Sequence, residues 1–520
     1  MKKKLRFIFR SDFLFFSLLS LSIIVLFRRA FGIGVFKDDY SFFHLNKAKT
    51  IVDFFKFFSP IRDYPYRPLP SNLFYYILNL SGQNIVLGHV VVFITYLIGL
   101  VLLYKIIKTV TKNPLFSKLS VLIYAFHFSH VFQLYWLATF EEILMFTCLV
   151  SSFYFYLKKK FPLSIVFFIA ALLSKETAML YVPFLFVYEV IKQKRLWPLK
   201  NKLLLGLYTT LVLIYYFGIL HFSLTKVTGL DNYKIDPTNI RLLINNAMWY
   251  LLWSLGLPNF MPDVMRSVFS LPLPVFKKYW ADTTVRAYFY FQFLFLSIFG
   301  ISVISLLLTT FRKKLMRFIS VLLFLIISFY VFLGPILFFR HKWMVRLMIP
   351  QLFMSIFMGW VIYNLIYPSY AGLQPKGLSK QLRGGYTRAN SFASGIIYKG
   401  LLKTLSYFLL IVFFASTVFG IQLHESSSLY LLETRIYKDT QRYFSKNGDI
   451  IKNYKFIYFK DKLKRKENPW GGSEKLKVSF HDQDFLDYFL PGSRIKAVYG
   501  FETKKIPDGS YIVDSYDFLK

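Results

Sequence analysis

One cysteine, Cys148, occurs in the 520 residues. An intrachain disulfide is therefore impossible, and a zinc site built on cysteines is excluded. Acids are scarce: 27 Asp and Glu stand against 64 Lys and Arg, a formal net charge of +37. No internal repeat is visible.

Apolar residues are what the chain has in excess. They make up 55 %, and aromatics reach 20 %, with 61 Phe and 37 Tyr. A soluble chain of this length would form roughly three or four domains. Packed cores need less apolar surface than this, whereas a surface facing lipid needs it. The composition excludes a soluble enzyme, a disordered chain and a disulfide scaffold. The charge is unevenly spread. Residues 1–421 carry 46 bases and 13 acids, and residues 422–520 carry 18 and 14. The basic runs lie between apolar segments, as in cytoplasmic loops of membrane proteins, which argues against a nucleic-acid partner.

A helix needs about 20 apolar residues to cross the hydrocarbon layer. The hydropathy pattern predicts eleven spans, near 12–30, 89–108, 115–134, 142–157, 161–174, 177–191, 203–221, 286–311, 318–338, 343–363 and 401–421. The first lacks a small-residue cleavage site and is followed by Arg28 and Arg29, so it reads as retained. An N-terminus inside puts the basic stretches 2–4, 105–118, 158–160, 192–202, 312–317 and 376–388 on the cytoplasmic side of a plasma membrane. Most acids before residue 421 then fall outside, and only Asp12 and Glu189 fall near the inner side. Segment 245–257 reads as a re-entrant or interfacial helix in an outer loop spanning 222–285. The first outer loop spans 31–88. From 422 the composition changes. An amphipathic helix is expected over 422–446, strands at 455–460, 475–480, 494–501 and 511–513, and a helix at 484–490. This is a small α/β module on the outer face, where a structural role for Trp470 and Tyr511 is favoured over stacking on sugar rings. The expected fold is an all-α polytopic membrane protein with a C-terminal extracytoplasmic α/β module.

Ionisable groups at membrane depth are costly and point to function. Five clusters gather on the outer side. Asp38 and Asp39 are adjacent, and neighbouring carboxylates repel, so one is kept basic while the other orients a partner. In Tyr64-Pro65-Tyr66-Arg67-Pro68-Leu69-Pro70, prolines hold Arg67 in a rigid segment, and its planar fork suits phosphate. His127, His130 and Gln133 share one helical arc ahead of Trp136, Glu141 and Glu142. For the two histidines, hydrogen bonding between helices is favoured over metal ligation. Ser174-Lys175-Glu176 sits in a tight hairpin, where a Lys–Glu pair can hold a lipid phosphate. Arg340, His341, Lys342 and Arg346 place four basic groups at an outer helix end, against the positive-inside trend, and an anionic ligand or lipid headgroup accounts for them.

The order and shared sidedness of these motifs resemble the multi-spanning GT-C glycosyltransferases, over roughly residues 1–350. The bacterial relatives of protein O-mannosyltransferases and aminoarabinose transferases are nearest. The resemblance implies a polyprenyl-phosphate sugar as donor and a glycan, lipid or protein hydroxyl as acceptor. It implies Asp38, or else Asp39, as general base, with inversion at the sugar. Lys175, Arg340 and Arg67 would bind the donor phosphate. Glu141 or Glu142 would take the second acidic position, with Glu176, His130 and His341 in support. Some members need a divalent cation (Mg or Mn), and the residues assign no ligand set. The alternatives are a transporter or flippase for lipid-linked saccharides and an O-antigen-type polymerase or ligase.

Overall fold

The computed structural model describes residues 11–60, 65–192, 199–220, 236–309, 312–367, 385–427, 429–461 and 472–519. The basic stretch 2–4, most of 376–388, and Asp63, Tyr64, Asp231 and Trp470 lie outside the described residues.

A helix coincides with every predicted apolar segment. These are α1 (Asp12–Leu26), α3 (Ile85–Thr111), α4 (Pro114–Ala125), α5 (Phe140–Leu157), α6 (Phe161–Leu172), α7 (Tyr181–Lys192), α8 (Leu199–Tyr215), α10 (Thr283–Thr309), α11 (Arg312–Val331), α12 (Pro350–Ile366) and α13 (Gly385–Ser427). Between them lie α2 (Asp38–Leu45) and α9 (Ile240–Ser254). Length separates these helices. Among the described residues, five are long and apolar enough to cross a membrane: Ile85–Thr111, Leu137–Leu157, Leu199–Ile219, Thr283–Leu307 and Gly400–Glu425. Pro114–Ala125 and Phe128–Tyr135 make a sixth if this pair, bent by 50°, is one span. Asp12–Leu26, Phe161–Leu172, Ile319–Val331 and Pro350–Ile366 are apolar but shorter. The chain is thus built as a helical membrane protein, with five or six full-length apolar helices where eleven full spans were expected. Local punctuation sets these lengths. Lys112 ends α3 in a left-handed conformation, and the Asn113 side chain caps α4, with Pro114 in its first turn.

Small residues let the helices approach. A Cβ on Gly359 would lie 2.5 Å from Ser120 Oγ, at the crossing of α12 and α4, and one on Gly99 would strike the Phe146 ring. The bend after α4 exposes backbone polar groups that side chains must meet. His130 Nε2 bonds the Tyr124 carbonyl (2.8 Å), His127 Nδ1 meets Ser129 Oγ (2.7 Å), and the Gln133 amide donates to the Val345 carbonyl (2.6 Å).

The two ends of the bundle differ. At one end Asp12 pairs with Lys108 (2.9 Å) and Lys118 (2.7 Å), and Glu189 with Lys192 (3.3 Å). The other end carries Asp38, Arg67, Glu141, Glu142, Lys175 and Glu176. α9 lies there too, with Trp249, Tyr250 and Trp253 buried, and Asn246 donating to the Leu337 and Phe339 carbonyls (2.9 and 2.8 Å).

The last long helix runs on to Ser427, past the compositional change at 422. Near its end Glu425 is buried, bonded by Arg29 (2.7 Å) and Tyr135 Oη (2.5 Å). There follow α14 (Leu429–Ile451), β1 (Phe456–Lys460), α15 (Gly472–Phe480), α16 (Asp484–Phe489), β2 (Lys496–Tyr499) and β3 (Ser510–Asp514). The sheet order is β2-β1-β3, all parallel, with Phe456 opposite Lys496 and Ser510. The segment expected as a strand at 475–480 is helical. Its Leu-x-Val-x-Phe alternation suggests period two, but Leu476, Ser479 and Phe480 are buried while Val478 is 54 % exposed, which is a helical face. Parallel β1 and β2 also need a crossover, which α15 and α16 provide. Tyr511 packs on Tyr454 (5.3 Å between centroids) inside the module.

Candidate active site

The Tyr-Arg-Pro segment, the start of α5 and the hairpin after α6 meet at one point. The Leu69 amide donates to the Leu173 carbonyl (3.3 Å), which fastens the proline segment beside Ser174-Lys175-Glu176. Arg67 then forks onto Glu176 through Nε and Nη2 (2.9 and 2.8 Å), and its Nη1 pairs with Glu141. Lys175 donates to Glu141 (2.5 Å) and Glu142 (2.7 Å). Three carboxylates and two cations form one chain of charge-assisted bonds. Glu142 is only 4 % exposed, while Glu176 at 26 % is the most open. Burial pushes the Glu176 carboxyl up, but Arg67 and Lys175 outweigh it and hold it down at about 2.

This network carries one negative charge in excess of balance. Arg346 lies on its far side within electrostatic reach of Glu142. A small recess between them is lined by Glu142, Met145, Thr177, Phe332, Ile336 and Arg346, among others. Arg346 has no ion-pair partner among the described residues, and its guanidinium stands 5.4 Å from the centre of the Phe339 ring.

Asp38 and Asp39 open α2 and diverge. Asp39 is fully buried, accepting from Tyr75 Oη (2.5 Å) and the Phe36 amide (3.2 Å), and burial pushes its carboxyl up to about 7. Asp38 turns the other way. Its side chain is 49 % exposed. Burial there raises its carboxyl above the usual range, against the pull of His481 and Lys37. Asp38 is within electrostatic reach of Glu141 and Arg67, so it lies near the network. The preceding Lys37 adopts φ 52°, a conformation unusual for a side chain larger than glycine. Its ammonium lies 5.8 Å from the Trp136 ring centre, and Trp136 contacts Trp343 at 5.5 Å between centroids.

The structure brings together Asp38, Arg67, Glu141, Glu142, Lys175 and Glu176. It leaves four expected residues outside that group. Asp39 is turned away from it, held by Tyr75 and the Phe36 amide. His130 serves the bend after α4. Arg340 is exposed and lies near Asp236, whose amide bonds the Phe338 carbonyl (3.4 Å). His341 is half-buried beside Trp343, at 6.2 Å between centroids, on the loop leading to Arg346. Among the described residues no group of three or more His, Cys, Asp or Glu side chains is arranged to hold a metal ion.

Neither a protein-family model nor a curated protein matches this chain.

One contributor, His481, went unnoticed in the sequence, and the place of another, Arg346, was not assigned. Arg346 was visible as the last member of a basic cluster, and its place opposite Glu142 comes from the short turn Met344–Leu347. His481, from the C-terminal module, stands 3.7 Å from Asp38. No local pattern in His481-Asp482-Gln483-Asp484 ties it to a loop more than 400 residues upstream.

Proposed function

We propose that the chain is an integral membrane glycosyltransferase that moves a sugar from a polyprenyl-phosphate donor to an acceptor hydroxyl on the outer face of a plasma membrane. In this reading eleven helices cross or enter the bilayer, the N-terminus is cytoplasmic, and the C-terminal module is extracytoplasmic. The observation that carries it is an open carboxylate, Asp38, near a buried Glu141–Arg67–Lys175–Glu142 network at the acid-bearing end of an apolar bundle.

Asp38 accepts the proton of the acceptor hydroxyl, and that oxygen bonds the anomeric carbon as the carbon–oxygen bond to phosphate breaks, inverting the centre. Polyprenyl phosphate departs with one more negative charge than the donor carried. Lys175 and Arg67 already meet carboxylates, so Arg346 is the cation assigned to the departing phosphate, with Arg340 at the rim. Glu141, Glu142 and Glu176 offer acceptors for sugar hydroxyls. A divalent cation is not required by this scheme.

The test is purified protein in vesicles given radiolabelled polyprenyl-phosphate sugars and a hydroxyl acceptor pool. Sugar transfer with inverted configuration is the expected result. Movement of intact donor between leaflets without bond cleavage would instead identify a flippase.

A further inference from the structure

The C-terminal module docks on the first loop at Asp38 itself. The Lys37 amide donates to the Ser479 carbonyl at the end of α15 (2.8 Å). Tyr40 on α2 packs against Tyr488 and Phe489 of α16 (5.4 and 6.0 Å between centroids). His44, at the other end of α2, meets Asp487 (2.9 Å). Between these contacts α15 ends in two successive residues of positive φ, His481 (50°) and Asp482 (59°). Such a pair without glycine carries a conformational cost and persists only where surrounding contacts hold it. Here the Asp482 amide bonds the Lys477 carbonyl (2.9 Å) and Tyr499 Oη bonds the Asp482 carbonyl (2.5 Å). The result is an imidazole aimed out of the module. Its Nδ1 bonds Asp484 (2.7 Å), and its Nε2 stands 3.7 Å from Asp38 Oδ1.

We propose that His481, clamped by Asp484, is a positioning residue for Asp38: as an imidazolium it keeps the Asp38 carboxylate ionised and turned toward the acceptor, so the C-terminal module completes the active site. The inference rests on the glycosyltransferase reading for the identity of the reaction, but the ion pair stands apart from it. The carboxylate of Asp484 comes first among the influences that raise the basicity of His481, with Asp38 and Asp482 adding to it. Within electrostatic reach of Asp38 are His481, Lys37, Glu141 and Arg67, together with Asp39 and Tyr75, and Lys37 and Asp39 lie next to it in the chain. Loss of the imidazolium leaves Asp38 with Glu141 near and one cation fewer, which favours its protonated form. No bond is made or broken at His481. The acceptor's proton goes to Asp38 and from there to solvent.

Two measurements on the full chain in micelles test this. The first labels the 8 histidines with 13C at Cε1 and titrates them by NMR, with His481→Gln assigning the signal. Asp38→Asn is expected to lower the His481 pKa, and Asp484→Asn to lower it further. An unchanged His481 titration in Asp38→Asn overturns the pair. The second follows sugar transfer against pH. His481→Gln should move the acid limb up by about 1 pH unit, close to a tenfold rate loss on that side, and His481→Lys should restore part of it. A uniform rate loss with an unmoved limb, unrescued by His481→Lys, would make His481 merely structural and overturn the proposal. If the titrations couple but no transfer occurs, the pair stands and the reaction assigned above fails.

Discussion

Replacing Arg67 by Met tests the charge network most severely. Met keeps the length and apolar stem but removes the fork. Arg67 satisfies Glu176 with two bonds and Glu141 with a third contact. Glu141 retains Lys175, whereas Glu176 keeps only longer-range attraction to Lys175. Breaking a buried pair costs about 3–5 kcal/mol, chiefly for the charge left behind. The side chains of Arg67 and Glu176 are 18 % and 26 % exposed, so some water reaches the orphan and the lower end applies, about 3 kcal/mol. Arg67→Met with Glu176→Gln removes that orphan, so the double variant should recover at least about 1 kcal/mol over the additive sum. The pH dependence should also change sign. In the wild type Glu176 is depressed to about 2, so its stabilisation is present above its unfolded value and lost as pH falls through about 2. In Arg67→Met the buried, unpaired acid is raised above its unfolded value, and stability is lost as pH rises. Thermal unfolding in detergent micelles, from about pH 2 to pH 8, measures both effects. A loss below about 0.5 kcal/mol with strict additivity would mean that the network does not exist as drawn.

Other consequences are as direct. Asp39 is raised to about 7 by burial, so its contribution to stability is present below its unfolded value and declines as pH rises through about 7. Asp39→Asn, which mimics the protonated acid toward Tyr75 and Phe36, should flatten that decline in a melting series, and a parallel curve would contradict it. Asp39→Ala strands both partners and should cost about 1–3 kcal/mol in the same assay. Gly34 lies against Tyr437 so closely that a Cβ would sit 2.2 Å from the ring. Gly34→Ala should therefore loosen α14 from the first loop. Proteolysis of the C-terminal module would report this as faster cleavage, and unchanged protection would count against the docking described.

Much of the site was legible because ionisable residues are scarce in an apolar chain. Asp38, Arg67, Glu141, Glu142, Lys175 and Glu176 each stood out against lipid-compatible neighbours, and parity of the spans put them at one end. Their pairing was not legible. Lys175 and Arg67 were expected to meet phosphate, and in the structure carboxylates from other segments occupy them, since only the folded chain brings residues 67, 141 and 175 together. The choice between Asp38 and Asp39 also needed the fold, because it depends on which carboxylate Tyr75 turns toward. Hydropathy found every apolar helix but overstated length, since it cannot see where a helix stops at a Pro or at a bend stitched by His130 and Gln133. The 475–480 misassignment has the opposite cause: a short alternating run satisfies both periods, and only the parallel sheet decides for a helix.

The most direct measurement compares sugar transfer from a polyprenyl-phosphate donor by wild type, Asp38→Asn and Asp39→Asn, each reconstituted at equal folded concentration. The account predicts a loss of at least about 100-fold for Asp38→Asn, and a rate near wild type for Asp39→Asn. Full activity in Asp38→Asn would contradict it.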